Sequence, residues 1–175
     1  DKPTQGKPDP ELLQLAFGAY VGMVRTDAGG DEQSHRVRRD AIDRIVAQAL
    51  EGHATREIAL APLVRALGDS HHLVRKAALT GIQKVLAPDV ETPLAMALAS
   101  PAGDIARSAL DELANGGELA RPRIAEALNS SVADVRRYAF TLLEKLSPKG
   151  SLEPLLWALS SEHTDIRLGV LDRLA

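Results

Sequence analysis

Apolar and polar positions along this chain recur with a period of about 31 residues. The apolar residue that opens the second helix of each unit is Val37, Val74, Ile105, Val135 or Ile166, and the last four are separated by 31, 30 and 31 residues. Leu67, Leu98, Leu128 and Leu159 each stand seven residues before that Val/Ile. Counting from the Val/Ile as zero, position +4 is Ala41, Ala78, Ala109, Ala139 and Val170. Position +5 is Ile42, Leu79, Leu110, Phe140 and Leu171, and position +8 is Ile45, Ile82, Leu113, Leu143 and Leu174. These offsets share one face of an α-helix. A fixed period of this size marks stacked supersecondary units. The pattern therefore predicts an all-α chain of about five helix pairs, each reading helix A, tight turn, helix B, with the helix B positions above buried.

Punctuation places the elements. Helix A of the second to fifth units is read at about 58–67, 91–98, 120–128 and 152–159, and helix B at about 72–86, from 104, 132–146 and from 164. Pro62, Pro93, Pro122 and Pro154 are expected in the first turn of helix A, where a missing N–H costs nothing. Asp104, Asp134 and Asp165 stand at the start of helix B, where a carboxylate caps free N–H groups and meets the positive end of the helix dipole. Pro88, Asn115-Gly116-Gly117 and Pro148-Lys149-Gly150 separate units. The first unit differs. Its helix A, about 10–24, is longer and more apolar, a loop follows over about 26–34, and Gly30 replaces the repeating leucine. That helix reads as an N-terminal cap. Residues 1–10, polar and Pro-rich, read as a flexible tail; residues 11–175 carry the array, in units of about 11–53, 57–87, 90–115, 118–147 and 151–175. The missing initial Met and the end in mid-pattern at Leu174-Ala175 suggest a piece of a longer array.

Composition narrows the classes. Apolar residues are 45% of the chain but aromatics only 3%, so the core must be Leu, Ala, Val and Ile. A net charge of −3 and pI near 6.0 argue against a strongly basic nucleic-acid binder. The absence of cysteine removes disulfides, thiolate metal sites and a Cys nucleophile, and fits the cytoplasm. No apolar run reaches the ~20 residues a membrane span needs, and no signal peptide is read at the start.

The stretches Leu73-Val74-Arg75-Lys76-Ala77-Ala78-Leu79, Asp134-Val135-Arg136-Arg137-Tyr138-Ala139-Phe140 and Asp165-Ile166-Arg167 resemble the D-x-V-R-x-x-A signature of HEAT repeats, most closely the short bacterial type named after phycobilisome lyases. The resemblance covers residues 11–175. It implies a right-handed α-α superhelix and a protein-interaction scaffold; a few such arrays bind DNA or tetrapyrroles. It also implies a ladder of Asp and Arg between neighbouring repeats, carried here by Asp104, Asp134 and Asp165 with Arg38, Arg75, Arg136 and Arg167. Ala106 replaces the Arg in the third unit, and Arg36 and Leu73 occupy the Asp position in the first two, so the ladder should be broken there.

Position +2 of helix B is Arg39, Lys76, Arg107, Arg137 and Leu168, off the core face. If helix B lines the inner surface, as in HEAT arrays, the four cations form a concave basic stripe suited to an acidic peptide, protein or phosphate backbone. The plain alternative is a solvated charged face, with Asp43 and Asp111 placed for i,i+4 ion pairs to Arg39 and Arg107. Met96 and Trp157 fall in a helix A slot otherwise filled by Arg65 and Glu126, so they read as exposed apolar contacts, or as packing against a further repeat. His71-His72, with His35, His53 and His163 in other units, makes a poor metal site, and Asp27–Glu32 lacks the periodicity of a calcium loop. No phosphate-binding, nucleophile-elbow or zinc-protease motif occurs.

These readings converge on a non-catalytic cytoplasmic scaffold, without metal or cofactor, that binds a protein or peptide along a curved helical surface. The alternatives are a nucleic-acid-binding HEAT-like module and a bilin-lyase-type tetrapyrrole protein, the latter resting on the family name alone. The last helix B, ending on Val170, Leu171, Leu174 and Ala175, should leave an apolar face that favours self-association.

Overall fold

A computed structural model describes residues 10–25 and 32–174. The described residues form ten α-helices and no strand. By contacts the chain divides into two compact units, Asp1–Pro93 and Leu94–Ala175. The expected tail at 1–9, the loop at 26–31 with its calcium-like segment, and Ala175 lie outside the described residues.

The first unit holds α1 (Pro10–Arg25), α2 (Glu32–Leu50), α3 (Arg56–Ala66) and α4 (His72–Leu86). Helix α4 packs on both α2 and α3, and α1 packs on α2. Ile42 and Ile45 of α2, Leu63 of α3, Leu67, and Val74, Ile82 and Val85 of α4 are fully buried. Gly81 is the point of closest approach: a Cβ there would lie 2.8 Å from Val46 Cγ2 and 3.4 Å from Leu63 Cδ2. Only glycine lets α4 sit this close to α2 without moving Val46.

The division falls inside α5 (Glu91–Leu98). The second unit continues with α6 (Gly103–Ala114), α7 (Arg121–Glu126) flanked by 3-10 turns at Gly117–Ala120 and Ala127–Asn129, α8 (Ala133–Leu146), α9 (Glu153–Leu159) and α10 (Thr164–Leu174). Helix α8 packs against α6, α7 and α9, and α9 against α10. Leu110, Ile124, Leu128, Val135, Ala139, Leu143, Ala158, Ile166 and Val170 form one buried cluster.

The expected helix B register holds at position +4 in all five pairs, where Ala41, Ala78, Ala109, Ala139 and Val170 are buried. It fails at Val37, which is 45% exposed, while Arg38 beside it is 4% exposed. The buried Val74, Ile105, Val135 and Ile166 follow a leucine by seven residues, and the sequence has no leucine at that place before Val37. At position +5 Leu171 is 53% exposed and Leu79 half-buried, and Leu113 at +8 is half-buried. Helix α2 begins at Glu32, earlier than expected, and α3 begins at Arg56, where Thr55 Oγ1 accepts from Ile58 N at 3.4 Å. Pro62 lies inside α3, the seventh of its residues, rather than in its first turn, whereas Pro93, Pro122 and Pro154 stand in the first turn of α5, α7 and α9 as expected.

Candidate partner-binding surface

The turn between helices A and B is braced by a side chain that the sequence pattern did not single out. Five residues before the Val/Ile stand Asp69, Ser100, Ser130 and Ser161. Each side-chain oxygen accepts from the N–H two residues on: Asp69 Oδ1 from His71 at 2.8 Å, Ser100 Oγ from Ala102 at 3.1 Å, Ser130 Oγ from Val132 at 3.2 Å and Ser161 Oγ from His163 at 3.1 Å. The ladder arginines close on the same turn. Arg75 donates to the Asp69 carbonyl at 2.7 Å, Arg136 to Ser130 at 2.8 Å and Arg167 to Ser161 at 2.6 Å. The sequence signal was present as a polar residue six before each of these arginines.

Within each unit a ladder rung joins successive pairs. Arg136 Nη2 meets Asp165 Oδ2 at 2.7 Å, and this hydrogen bond holds the Asp165 carboxyl below its ordinary range. Arg38 donates from Nε and Nη2 to both oxygens of Asp69, at 2.8 and 2.9 Å, with both side chains buried. The ladder is therefore not broken in the first pair. An acid one turn earlier in register replaces the missing one. Asp134 is not a rung; its carboxylate pairs with Arg137, three residues on in the same helix. Ala106 joins the core, as an apolar residue does at a site that buries arginine elsewhere.

The four cations of the expected stripe are all exposed, but the two units treat them differently. In the first unit, Arg39 and Asp43 of α2 and Lys76, Thr80 and Lys84 of α4 border a groove of about 370 Å³, floored by Val46, Leu73, Ala77 and Gly81. Among the described residues, Arg39, Lys76 and Lys84 form no ion pair, and Asp43 does not pair with Arg39. In the second unit, the Arg107 guanidinium lies 4.4 Å from the centre of the Tyr138 ring. The Tyr138 hydroxyl donates to Asp111, and that bond first, then loss of solvent, raises its pKa. The expected Arg107–Asp111 pair is thus replaced by a three-residue cluster, because Tyr138 reaches between α8 and α6. Arg137 pairs with Asp134.

Met96 and Trp157 are half-buried rather than exposed, and Trp157 packs against the second unit's core. Leu152 and Leu156, five and one residues before Trp157, are exposed, as are Leu168 and Leu171 of α10. The side chain of Leu174 lies outside the described residues.

The histidines stack instead of converging on a point. His35, 7% exposed on α2, lies parallel to His71 with ring centres 3.9 Å apart, and His71 stacks on His72 at 4.9 Å. His71 Nδ1 accepts from Leu73 N at 3.3 Å, which requires that nitrogen to be unprotonated. Loss of solvent, then the positive charge that His35 and His72 would carry, lowers the His71 pKa from 6.5. Among the described residues no group of three His, Asp or Glu side chains is arranged to hold a metal ion, and no helix is long and apolar enough to cross a membrane. Comparison with models of known protein families and with curated protein sequences gives no match.

Proposed function

We propose that this chain is a HEAT-like repeat scaffold, a right-handed superhelix of helix pairs in the cytoplasm, that binds a protein partner without catalysis. The observation that carries the reading is the contrast along helix B. Position +4 is buried throughout, while position +2 projects Arg39, Lys76, Arg107 and Arg137 outward. The braced turns and the Arg–Asp rungs hold these helices in fixed relation within each unit, and a preformed surface binds at lower entropic cost than a flexible one. Each rung joins successive helix pairs, so its role is to set how the pairs stack.

The test is site-specific photocrosslinking. Reactive groups at positions 39, 76, 107 and 137 should yield protein adducts in a cell extract, while the exposed positions 119 and 126 should not. Equal yield at all six positions overturns the reading. Duplex DNA binding that falls steeply with salt would instead give the stripe to a nucleic acid. A second copy of the chain is a further candidate partner, favoured by the exposed Leu156, Leu168 and Leu171.

A further inference from the structure

We propose that the groove between α2 and α4 is a docking site for an acidic peptide segment of a partner protein, gripped by Arg39, Lys76 and Lys84. The proposal rests on the scaffold reading and narrows it to one site and one ligand chemistry.

Lys76, Thr80 and Lys84 follow one another at intervals of four, so they form a single line along α4. At 1.5 Å rise per residue the two lysines are about 12 Å apart along the helix. Arg39 and Asp43 form the opposite wall on α2. Three cations thus face one carboxylate, and none of the three is in an ion pair among the described residues. The floor between the walls is small, because Ala77 projects one methyl group and Gly81 none. Long cationic side chains over a small apolar floor keep their stems on the groove and their charged heads free for a ligand. A peptide with two or three carboxylates within about 12 Å matches that spacing: three to four residues if extended, about two turns if helical.

The second unit supplies an internal control. The register position of Ala77 is occupied there by Tyr138, and that of Gly81 by Leu142. Thr141 and Lys145 match Thr80 and Lys84, and Arg107 and Asp111 match Arg39 and Asp43. The charges are therefore repeated, but the floor is filled, and Arg107 is held over the Tyr138 ring. The groove between α2 and α4 stays uncovered because Ala77 stands where Tyr138 stands in the second unit, while Gly81 lets Val46 close the floor beneath it; the charge pattern is the same.

The experiment measures fluorescence anisotropy of a labelled ten-residue glutamate-rich peptide against the whole chain, with the glutamine-for-glutamate peptide and a duplex DNA as comparisons. The glutamate peptide should bind and the glutamine peptide should not. Ala77→Tyr, which copies the second unit, and the double reversal Lys76→Glu with Lys84→Glu should each weaken binding tenfold or more. Both alter exposed or half-buried positions of α4, and unchanged circular dichroism and Tm verify that they fold. Arg107→Glu and Arg137→Glu should change affinity less than twofold. Equal binding of the glutamine peptide, tighter binding of DNA, or equal loss from the second-unit reversals overturns the proposal. If the peptide fails to bind while crosslinks at 107 and 137 persist, the groove falls and the scaffold reading stands. If the peptide binds but crosslinks along the stripe do not exceed those at 119 and 126, the scaffold reading falls and the groove stands.

Discussion

The α2/α4 and α6/α8 pairs carry nearly the same charges at the same register positions, yet they present different surfaces. Arg39 and Asp43 correspond to Arg107 and Asp111, and Lys84 to Lys145. In the first pair Arg39, Lys76 and Lys84 border a groove and form no ion pair among the described residues; the second places Arg107 on the Tyr138 ring and Asp111 under its hydroxyl. What separates them is the uncharged residue between the charges, Ala77 in one pair and Tyr138 in the other. A periodic row of cations becomes a binding surface only where its neighbours are too small to engage it.

The two units differ in their interiors as well. The rung in the first, Arg38–Asp69, has both side chains buried, whereas Asp165 in the second is 40% exposed at its side chain. Removing one partner of a buried pair leaves an uncompensated charge, which costs about 3–5 kcal/mol. Asp69→Ala should therefore destabilise the first unit by that amount in urea unfolding, with hydrogen exchange accelerated in α2 and α4. Arg136 is itself buried, but Asp165 is 40% exposed and the Ser130 carbonyl still accepts from Arg136, so water can take the place of the lost carboxylate and Asp165→Ala should cost less, about 1–2 kcal/mol. Equal losses for the two variants would mean that the Arg38 charge finds water or another acid, and the contrast between the units would dissolve.

Acidification separates the units by a different route. The unfolded chain takes up a proton at His71 near its ordinary pKa of 6.5, whereas in the folded first unit that pKa is lowered. Below 6.5 the unfolded state holds more protons, so this contribution to stability is complete above 6.5 and is lost as pH falls through the lowered value. His35 from α2, His72 from α4 and Arg38 oppose the proton, and Asp69 favours it. Asp165 in the second unit has its pKa lowered from 3.8, so its contribution persists above 3.8 and is lost only below. Between pH 6.5 and 4 the first unit should lose exchange protection while the second keeps it. His71→Asn, whose side chain still caps α4, should flatten that difference; an unaltered pH profile in the variant would remove His71 from the account.

The helices were legible because their signals are local and redundant. Helix α4 was read at its final bounds from Val74, Ala78 and Ile82 alone, and α5 from Glu91 to Leu98. The buried Ala109 and Ala139 followed from the same periodicity. Val37 was misplaced because periodicity marks a helical face but not what lies against it, and there Arg38 is the buried residue. Asp69 passed as an ordinary turn residue, since its partner Arg38 lies 31 residues away and sequence spacing carries no direction for a side chain. The candidate site was legible only in part. Arg39 and Lys76 stood out by repetition, but Lys84 gains meaning only once Ala77 is seen to leave the groove beside it uncovered. Trp157 was singled out because Arg65 and Glu126 fill its helix A slot elsewhere, but it is half-buried against the second unit's core.

The smallest effect tests the Tyr138 cluster itself. Tyr138→Phe removes the hydroxyl that donates to Asp111 but keeps the ring beneath Arg107. Loss of one half-exposed hydrogen bond should lower the second unit's stability by about 0.5–1 kcal/mol. The cation–π contact remains, so Arg107 stays engaged and affinity for a glutamate-rich peptide should not rise. Tyr138→Ala removes both contacts and frees Arg107, yet Leu142 still stands at the register position of Gly81, so α6 and α8 do not present the same groove. Its gain in peptide affinity should therefore be only about two- to threefold, worth well under the 1.4 kcal/mol of a tenfold change. Anisotropy titrations of both variants, in a background carrying Lys76→Glu and Lys84→Glu, read this directly. A gain for Tyr138→Phe equal to that for Tyr138→Ala would show that the hydroxyl bond to Asp111, not the ring, is what withholds Arg107 from a ligand.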